Sequence, residues 1–411
     1  MKKQELYNLG LQRGAEVHAA MQACGRAAAA GQDKQAIRAR VREVIAGPGG
    51  FLDDEIYGEL ARLLDPAQRR ESPLLRSDLA YARWGEDIDQ QAHDQMRNAC
   101  RLPVAVAAAL IPDAHVGYGI PIGGVLATDN AVIPYAVGVD IACRVKLTVF
   151  DLPPQRLAEQ EQRFAGVLER ETLFGVGGKW RRERPQHAVM DEDWGVTPVT
   201  RSLKDLAWDQ LGTSGSGNHF VEFGELEVGP GPLGVPPGRY LAVVSHSGSR
   251  GPGGRVASHY STLARNLHPD LPRELAHLAW LPMDGAGAEY WAAMELMGLY
   301  ASANHDVIHR KIIRAVGAEV LCQVENHHNF AWRETHAGRD VIVHRKGATP
   351  AGRGVVGYIP GSMVAPGYLV EGLGEPRSLG SASHGAGRRM SRTAARETTR
   401  WGHLRRYLED H

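Results

Sequence analysis

The sequence predicts an α+β fold: a single large domain of mixed β-sheets flanked by helices over residues 76–411, with a helical extension over residues 1–75. Three observations predict it. Ala, Arg, Glu and Gln dominate up to about residue 70, which favours helix. From residue 101 the chain turns into apolar runs punctuated by Gly and Pro, which favours buried strands joined by tight turns. No internal repeat and no clear linker divides the remainder.

The elements follow in order. Gly47-Pro48-Gly49-Gly50 stops the first helical stretch, and a second short helix fits Asp53 to Leu64 before Asp65-Pro66. Residues 70–90 are charged and polar, like a linker. LPVAVAAALIPDAHVGYGIPIGGVLAT and IPYAVGVDIACRVKLTVFDL supply buried strands. Pro153-Pro154 precedes an amphipathic helix reaching about Thr172, and KWRRERP (179–185) is a basic loop. RYLAVVSHSGSRG (239–251) is a strand running into a Gly-Ser loop. Residues 285–317 carry the longest helical spacing, with Trp291, Met294, Met297, Tyr300 and Ala301 on one face. Residues 319–346 form two strands with His336-Ala337-Gly338 at the hairpin tip, and an Arg-rich helix follows Gly387.

Composition bounds the function. Lys+Arg and Asp+Glu are both 47 in 411 residues, which excludes a uniformly basic polyanion binder but not a local patch. Such patches exist: residues 388–411 hold seven Arg against three acidic residues, and KWRRERP holds four basic against one acidic. The 48 glycines exceed the roughly 29 expected at about 7% usage, and their short clusters suggest tight loops around a site. Four cysteines at 24, 100, 143 and 322 show no paired spacing, which fits a reducing compartment. The N-terminal segment MKKQELYNLGLQRGAEVHAA has no apolar core, so a cytoplasmic protein without a membrane partner is expected.

The histidines carry the chemistry. His219, His246, His328 and His384 each lie among small polar residues at or beside a strand end, where loops on a rigid scaffold place reactive groups. Asp140 and Cys143 add an acid and a thiol. Imidazole, thiolate and carboxylate together suit Zn²⁺, Mn²⁺, Fe²⁺ or Co²⁺. The plainer reading makes Cys143 a buried apolar thiol, and spacing alone leaves that reading slightly ahead. His305 and His309 stand i and i+4 on a helix, as in HExxH metalloproteases, but Asp306 replaces the catalytic Glu, so packed hydrogen-bonding rings are the better expectation. GTSGSGNHF and HGAGR are Gly-rich loops whose backbone N–H groups suit phosphate oxygens.

The chain resembles the RtcB-type RNA-splicing ligases. The matching segments are DQMRNACRLP (94–103), LIPDAHVGYGIPIGGVLAT (110–128), AVGVDIAC (136–143), GTSGSGNHFVEFGE (212–225), SHSGSRG (245–251), NHHNFAW (326–332), VHRKGAT (343–349), PGSM (360–363) and SASHGAGRRMSR (381–392). The resemblance implies joining of RNA ends bearing a 3′-phosphate or 2′,3′-cyclic phosphate to 5′-hydroxyl ends, in RNA repair or tRNA splicing, with GTP and two Mn²⁺ per active site. It implies that Asp140, Cys143, His219, His246 and His328 hold the metals, with Cys143 bridging. His384 would be the guanylylated nucleophile. Asn218, Glu222, His328, Asn329, Pro360, Gly361, Ser362, Met363, His384, Gly385, Ala386 and Gly387 would contact the nucleotide, and Arg250 and Arg392 the RNA or its phosphate. An archease or a release-factor-like protein is the helper the family suggests. The competing readings are a dinuclear-metal RNA cyclic phosphodiesterase or phosphohydrolase that does not use GTP, and a non-catalytic RNA-binding paralogue.

Departures from the family pattern carry their own expectations. Ala142 and Arg144 stand where the family usually has glycine, and the added positive charge would lower the Cys143 pKa or alter metal choice. Val364-Ala365-Pro366-Gly367-Tyr368 lacks the usual Ser. The last lysine is Lys346, so the guanine-contacting Lys near the family's C-terminus is missing, which predicts looser preference for GTP over ATP.

Overall fold

The computed structural model describes residues 1, 3–7, 9–11, 14–65, 75–76, 78–181, 183–388, 397–398 and 400–410. The chain divides into two compact units, Met1–Leu74 and Leu75–His411.

The first unit is helical: α1 (Lys3–Tyr7), α2 (Gly14–Ala29), α3 (Lys34–Ala46) and α4 (Gly58–Leu64). Leu6, Val17, Ala20, Ala23, Val41, Val44, Tyr57 and Leu60 form its own buried core. The first stretch is therefore several helices rather than one. Gly31 takes a left-handed φ of 83°, and Asp33 accepts from Gln35 N and Ala36 N to start α3 afresh. The helix expected from Asp53 starts only at Gly58. Asp54 spends its carboxylate on Ile56 N and Tyr57 N, which holds a turn there instead.

The second unit is α+β, as expected. One sheet has five strands in the order β1 (Ala82–Arg83), β2 (Ala105–His115), β3 (Ile122–Thr128), β11 (Arg339–Lys346), β10 (Asn329–His336). The other has four in the order β6 (Phe220–Val228), β7 (Gly238–Ser247), β5 (Arg144–Phe150), β9 (Val320–His327), all antiparallel. Short pairs complete it: β4 (Ala131–Val132) with β8 (Leu281–Pro282), β12 (Ala348–Pro350) with β15 (Ser381–Ser383), and β13 (Val356–Ile359) with β14 (Tyr368–Glu371).

The helices of this unit are α5 (Gln90–Cys100), the single turn α6 (Pro134–Val137), α7 (Gln155–Glu159), α8 (Glu161–Glu171), α9 (Pro198–Gln210), α10 (Arg250–Leu267), α11 (Ala286–Val316) and α12 (Trp401–Asp410). The expected long helix is α11, with Met294, Met297, Tyr300 and Ala301 buried and Trp291 partly so. Four helices escaped the sequence reading: α5, the single turn α6, α9 and α10. A Thr197–Thr200 capping box and Pro198 start α9. The Gly-Ser loop after β7 is short, and Arg250 already begins α10.

Residues 319–346 are three strands, not two. The chain breaks at His328, whose N–H donates to Cys143 O at 3.0 Å, and passes there from the four-stranded sheet into the five-stranded one. The expected hairpin tip holds, with His336 paired to Arg339 across it. No helix among the described residues is long and apolar enough to cross a membrane.

Candidate active site

The site is built at one end of the four-stranded sheet. β5 and β6 start there, and β7 and β9 end there. Val145 pairs with His246, Arg144 with His327, and Phe220 with His246. Adjacent strands lie about 4.8 Å apart. Antiparallel order therefore gathers Cys143, His219, His246 and His328, which stand far apart in sequence, around one point.

Their polar atoms converge. Cys143 Sγ lies 3.2 Å from His246 Nε2 and 3.5 Å from His219 Nε2. His246 Nε2 lies 3.2 Å from His328 Nε2, and His219 Nε2 lies 2.9 Å from Asp140 Oδ2. These make two donor sets, Cys143–His246–His328 and Asp140–Cys143–His219, each with its atoms within 4.8 Å of one another. Cys143 belongs to both. Gly248 leaves room for the acid, because a Cβ there would fall on the Asp140 carboxylate.

The donor set fits transition-metal ligation. Sulfur, imidazole nitrogen and carboxylate oxygen are the right chemistry, and a thiol common to both sets suits a metal pair. Burial keeps the His246 and His328 imidazoles neutral and ready to donate lone pairs. It pushes His246 down to about 3, with His219 and His384 adding to the effect. His328 is pushed well below its usual value, by burial first and then by His384 and His246. Burial raises Asp140, but the hydrogen bond from His219, with that of Cys143 and the charge of Arg250 adding to it, outweighs this and holds the acid ionised.

The expected lowering by Arg144 is present but outweighed. Burial, and then the charge of Asp140, raise the Cys143 thiol well above its ordinary value, and the lowering pull of Arg250 and Arg144 does not reverse this. The Arg144 guanidinium turns to Glu325, with Gly298 O at 2.9 Å and Ala142 O at 3.2 Å as further acceptors. Ala142 itself is fully buried at φ 56°, a left-handed backbone that glycine adopts without strain.

His384 follows β15 and faces this centre, its ring 4.8 Å from that of His328. Its partner is Asp113. Leu110 pairs with Gly124 and His115 with Ile122, so residues 111–114 bulge opposite Gly123 alone. Gly123 tolerates this at φ 79°, where a Cβ would sit 2.7 Å from Ala114 Cα. The bulge delivers Asp113 Oδ2 to His384 Nδ1 at 2.7 Å, His384 N at 3.1 Å and Gly385 N at 3.2 Å. A carboxylate only accepts. Nδ1 therefore carries a proton, and in the neutral ring Nε2 keeps the lone pair.

The same cavity is lined by Asn218, Arg250, Asn329, Pro360, Gly361, Ser362, Gly385, Ala386 and Gly387. Arg250 donates to His219 Nδ1 and Thr213 Oγ1, both at 3.2 Å. Asn329 donates to Asp140 O at 3.2 Å and accepts from Gly347 N at 2.8 Å, tying two walls together. Glu222 and Met363 are not among the lining residues. Glu222 lies further along β6 and borders a neighbouring groove, and Met363 is 84% exposed. Arg392 lies outside the described residues.

Sequence reasoning missed Asp113 and Lys346. Both lie in matched segments, and both are charged groups inside apolar strands, which demand partners. Lys346 donates to Tyr118 O, and to Tyr135 O at 3.0 Å; burial pushes its ammonium down to about 7. His305 and His309 behave as packed rings. Ser245 Oγ bridges them at 2.6 and 2.8 Å, and Thr148 Oγ1 holds His309 Nδ1 at 2.7 Å.

A family model described as tRNA-splicing ligase RtcB matches residues 95–411. The chain belongs to the RtcB family. It is 33% identical over 352 residues to the RNA-splicing ligase RtcB of Escherichia coli strain K12, covering 76% of this chain and 81% of that one. It is 31% identical over 390 residues to the tRNA-splicing ligase RtcB of Nanoarchaeum equitans, covering 77% and 80%. It is 33% identical over 374 residues to the RNA-splicing ligase RtcB of Mycobacterium tuberculosis, covering 74% and 86%. The range matched to the RtcB family contains both donor sets, Asp113 and His384.

Proposed function

We propose that this chain is an RNA ligase acting in RNA repair or tRNA splicing. It joins 3′-phosphate or 2′,3′-cyclic phosphate ends to 5′-hydroxyl ends, using GTP and two Mn²⁺ per active site. One observation carries this reading: two donor sets share Cys143, and a histidine with a free Nε2 lies beside them. Family membership and the names of the relatives support it.

In this reading Asp140, Cys143, His219, His246 and His328 hold the metal pair. When bound, the pair supplies positive charge to phosphate oxygens and aligns the groups that react. His384 Nε2 bonds to the GTP α-phosphorus as the bond to pyrophosphate breaks. Asp113 holds the Nδ1 proton and so keeps Nε2 aimed and unprotonated. An oxygen of the RNA 3′-phosphate takes the guanylyl group from Nε2. The 5′-hydroxyl oxygen then bonds to the RNA phosphorus, GMP leaves, and the hydroxyl proton is released. A cyclic phosphate is first opened by water. Ser362 and Gly385 to Gly387 line the nucleotide's place, and Arg250 offers a planar fork to phosphate. The reading does not rest on Glu222, Met363 or Arg392. A cytoplasmic location and an archease or release-factor-like helper belong to the same proposal.

The test is incubation with α-labelled GTP and Mn²⁺. The expected result is an acid-labile, alkali-stable label on the protein that is absent from His384→Ala. No label with any divalent metal overturns the ligase reading in favour of a GTP-independent phosphohydrolase.

A further inference from the structure

The loop between α8 and Trp180 is stitched to the loop that carries His219. Ser214 N donates to Leu173 O at 2.9 Å, and Gly175 N donates to Gly215 O at 2.7 Å. Gly215 in turn lies against the Arg250 guanidinium that reaches His219. Phe174, bridged to Gly215, is thus linked to the donor set through Arg250 and His219. Its side chain is 47% exposed, and Val176 is 92% exposed. Aromatic surface is held in water there on a glycine-rich loop.

Further along, Trp180 is fixed by Nε1 donating to Leu211 O at 2.7 Å, with the Lys311 ammonium 3.6 Å over its ring. Lys179, Arg181, Arg184, Arg310, Lys311 and Arg314 surround the same concavity, against Glu171 and Glu183. Asp205 and Asp209 pair with Arg184, and Asp209 also with Lys179. Among the described residues, Arg181, Arg310 and Arg314 are exposed and make no ion pair.

We propose that this shelf holds a single RNA strand as it leaves the ligation centre, Phe174 stacking a base and Arg181, Arg310 and Arg314 meeting its phosphates. The inference rests on the RNA-ligase reading above. Single-stranded RNA is recognised by aromatic faces and cationic tracks of this kind. An acidic protein segment would match the charge but leaves the exposed ring beside the centre without a role.

The test uses the full chain with fluorescent single-stranded RNA bearing a 3′-phosphate. Arg181→Gln/Arg310→Gln/Arg314→Gln is expected to bind at least tenfold more weakly. Its salt dependence should be shallower by about 0.7 in log–log slope for each phosphate that is no longer neutralised. Phe174→Ala should weaken binding about fivefold or more, with little change in salt slope. Labelling of His384 by GTP should stay at the unsubstituted level in both variants, which also reports correct folding. Unchanged RNA affinity in variants that still take the label overturns the shelf, and is the result a protein-docking patch would give. Failure of the unsubstituted chain to take the label strikes the ligase reading instead.

Discussion

Asp113 Oδ2 receives the Nδ1 proton of His384 at 2.7 Å, across 271 residues of sequence. The pair fixes the tautomer of the ring. Asp113→Asn keeps the shape but offers an amide that can donate, so Nε2 gains the proton it must lack. Label transfer from GTP to His384 should slow by about a thousandfold or more, as tautomer reversal does in other histidine-dependent centres. Far-UV circular dichroism should be unchanged. A rate within about threefold of the unsubstituted chain would remove Asp113 from the positioning role.

Metal content tests the sharing of Cys143. Cys143→Ala should abolish retention of both metal equivalents, because both donor sets lose a member. Gly248→Ala should cost one equivalent, because the new methyl group displaces the Asp140 carboxylate that only one set contains. Elemental analysis after gel filtration reads both outcomes. A Cys143→Ala protein that keeps one tightly held ion would show that the thiol serves a single site.

Ala142 sits in left-handed backbone where an L-residue costs about 1–2 kcal/mol. Ala142→Gly relieves that strain but frees the unfolded chain by about 0.5–1 kcal/mol. The net expectation is a gain of about 0.5–1 kcal/mol. It should appear as a higher urea midpoint with an unchanged slope. A lower midpoint would mean that the buried methyl group contributes more than its backbone strain costs.

Acid should destabilise the fold through buried neutral imidazoles. His344 accepts from Ile133 N at 2.9 Å, donates from Nδ1 to Leu126 O at 3.1 Å, and is pushed by burial down to about 4. Its folded value lies below the unfolded one of about 6.5. The stability it contributes is thus complete above about pH 6.5. It falls by about 1.4 kcal/mol per pH unit until about pH 4, because only the unfolded chain takes up the proton. His309, pushed by burial to about 3, adds in the same direction. Denaturant unfolding at about pH 7.5, 6 and 5 should show this decline, and His344→Gln should flatten it by about one proton. A stability independent of pH across that range would contradict the burial argument.

The donor residues were legible because each stands in a short polar cluster at the end of an apolar run: Asp140 and Cys143, Asn218-His219, Ser245-His246 and Asn326 to Asn329. Strand ends are readable from such texture. Strand order is not, and it is the order β6-β7-β5-β9 that turns four separate clusters into one centre. Asp113 was hidden because its role depends on a register shift opposite Gly123, which alternation of apolar residues cannot reveal. The break at His328 was hidden too, since strand-like texture continues through it while the chain changes sheets. Helices α9 and α10 escaped because Gly, Pro and Ser near their starts read as loop, although Pro198 begins the first turn of α9 and Pro252 lies in that of α10.

The centre also has a chronology written into the chain. Every donor residue precedes His384, and Asp113 precedes them all, so the candidate metal centre is encoded well before the histidine that faces it. In the proposed reading, a chain still emerging from the ribosome carries the metal-holding residues before the histidine assigned as nucleophile. The Asp113–His384 pair forms only once β15 has been made and the histidine after it meets an aspartate synthesised long before. On the ligase reading proposed above, a product truncated ahead of that strand should take no label from GTP.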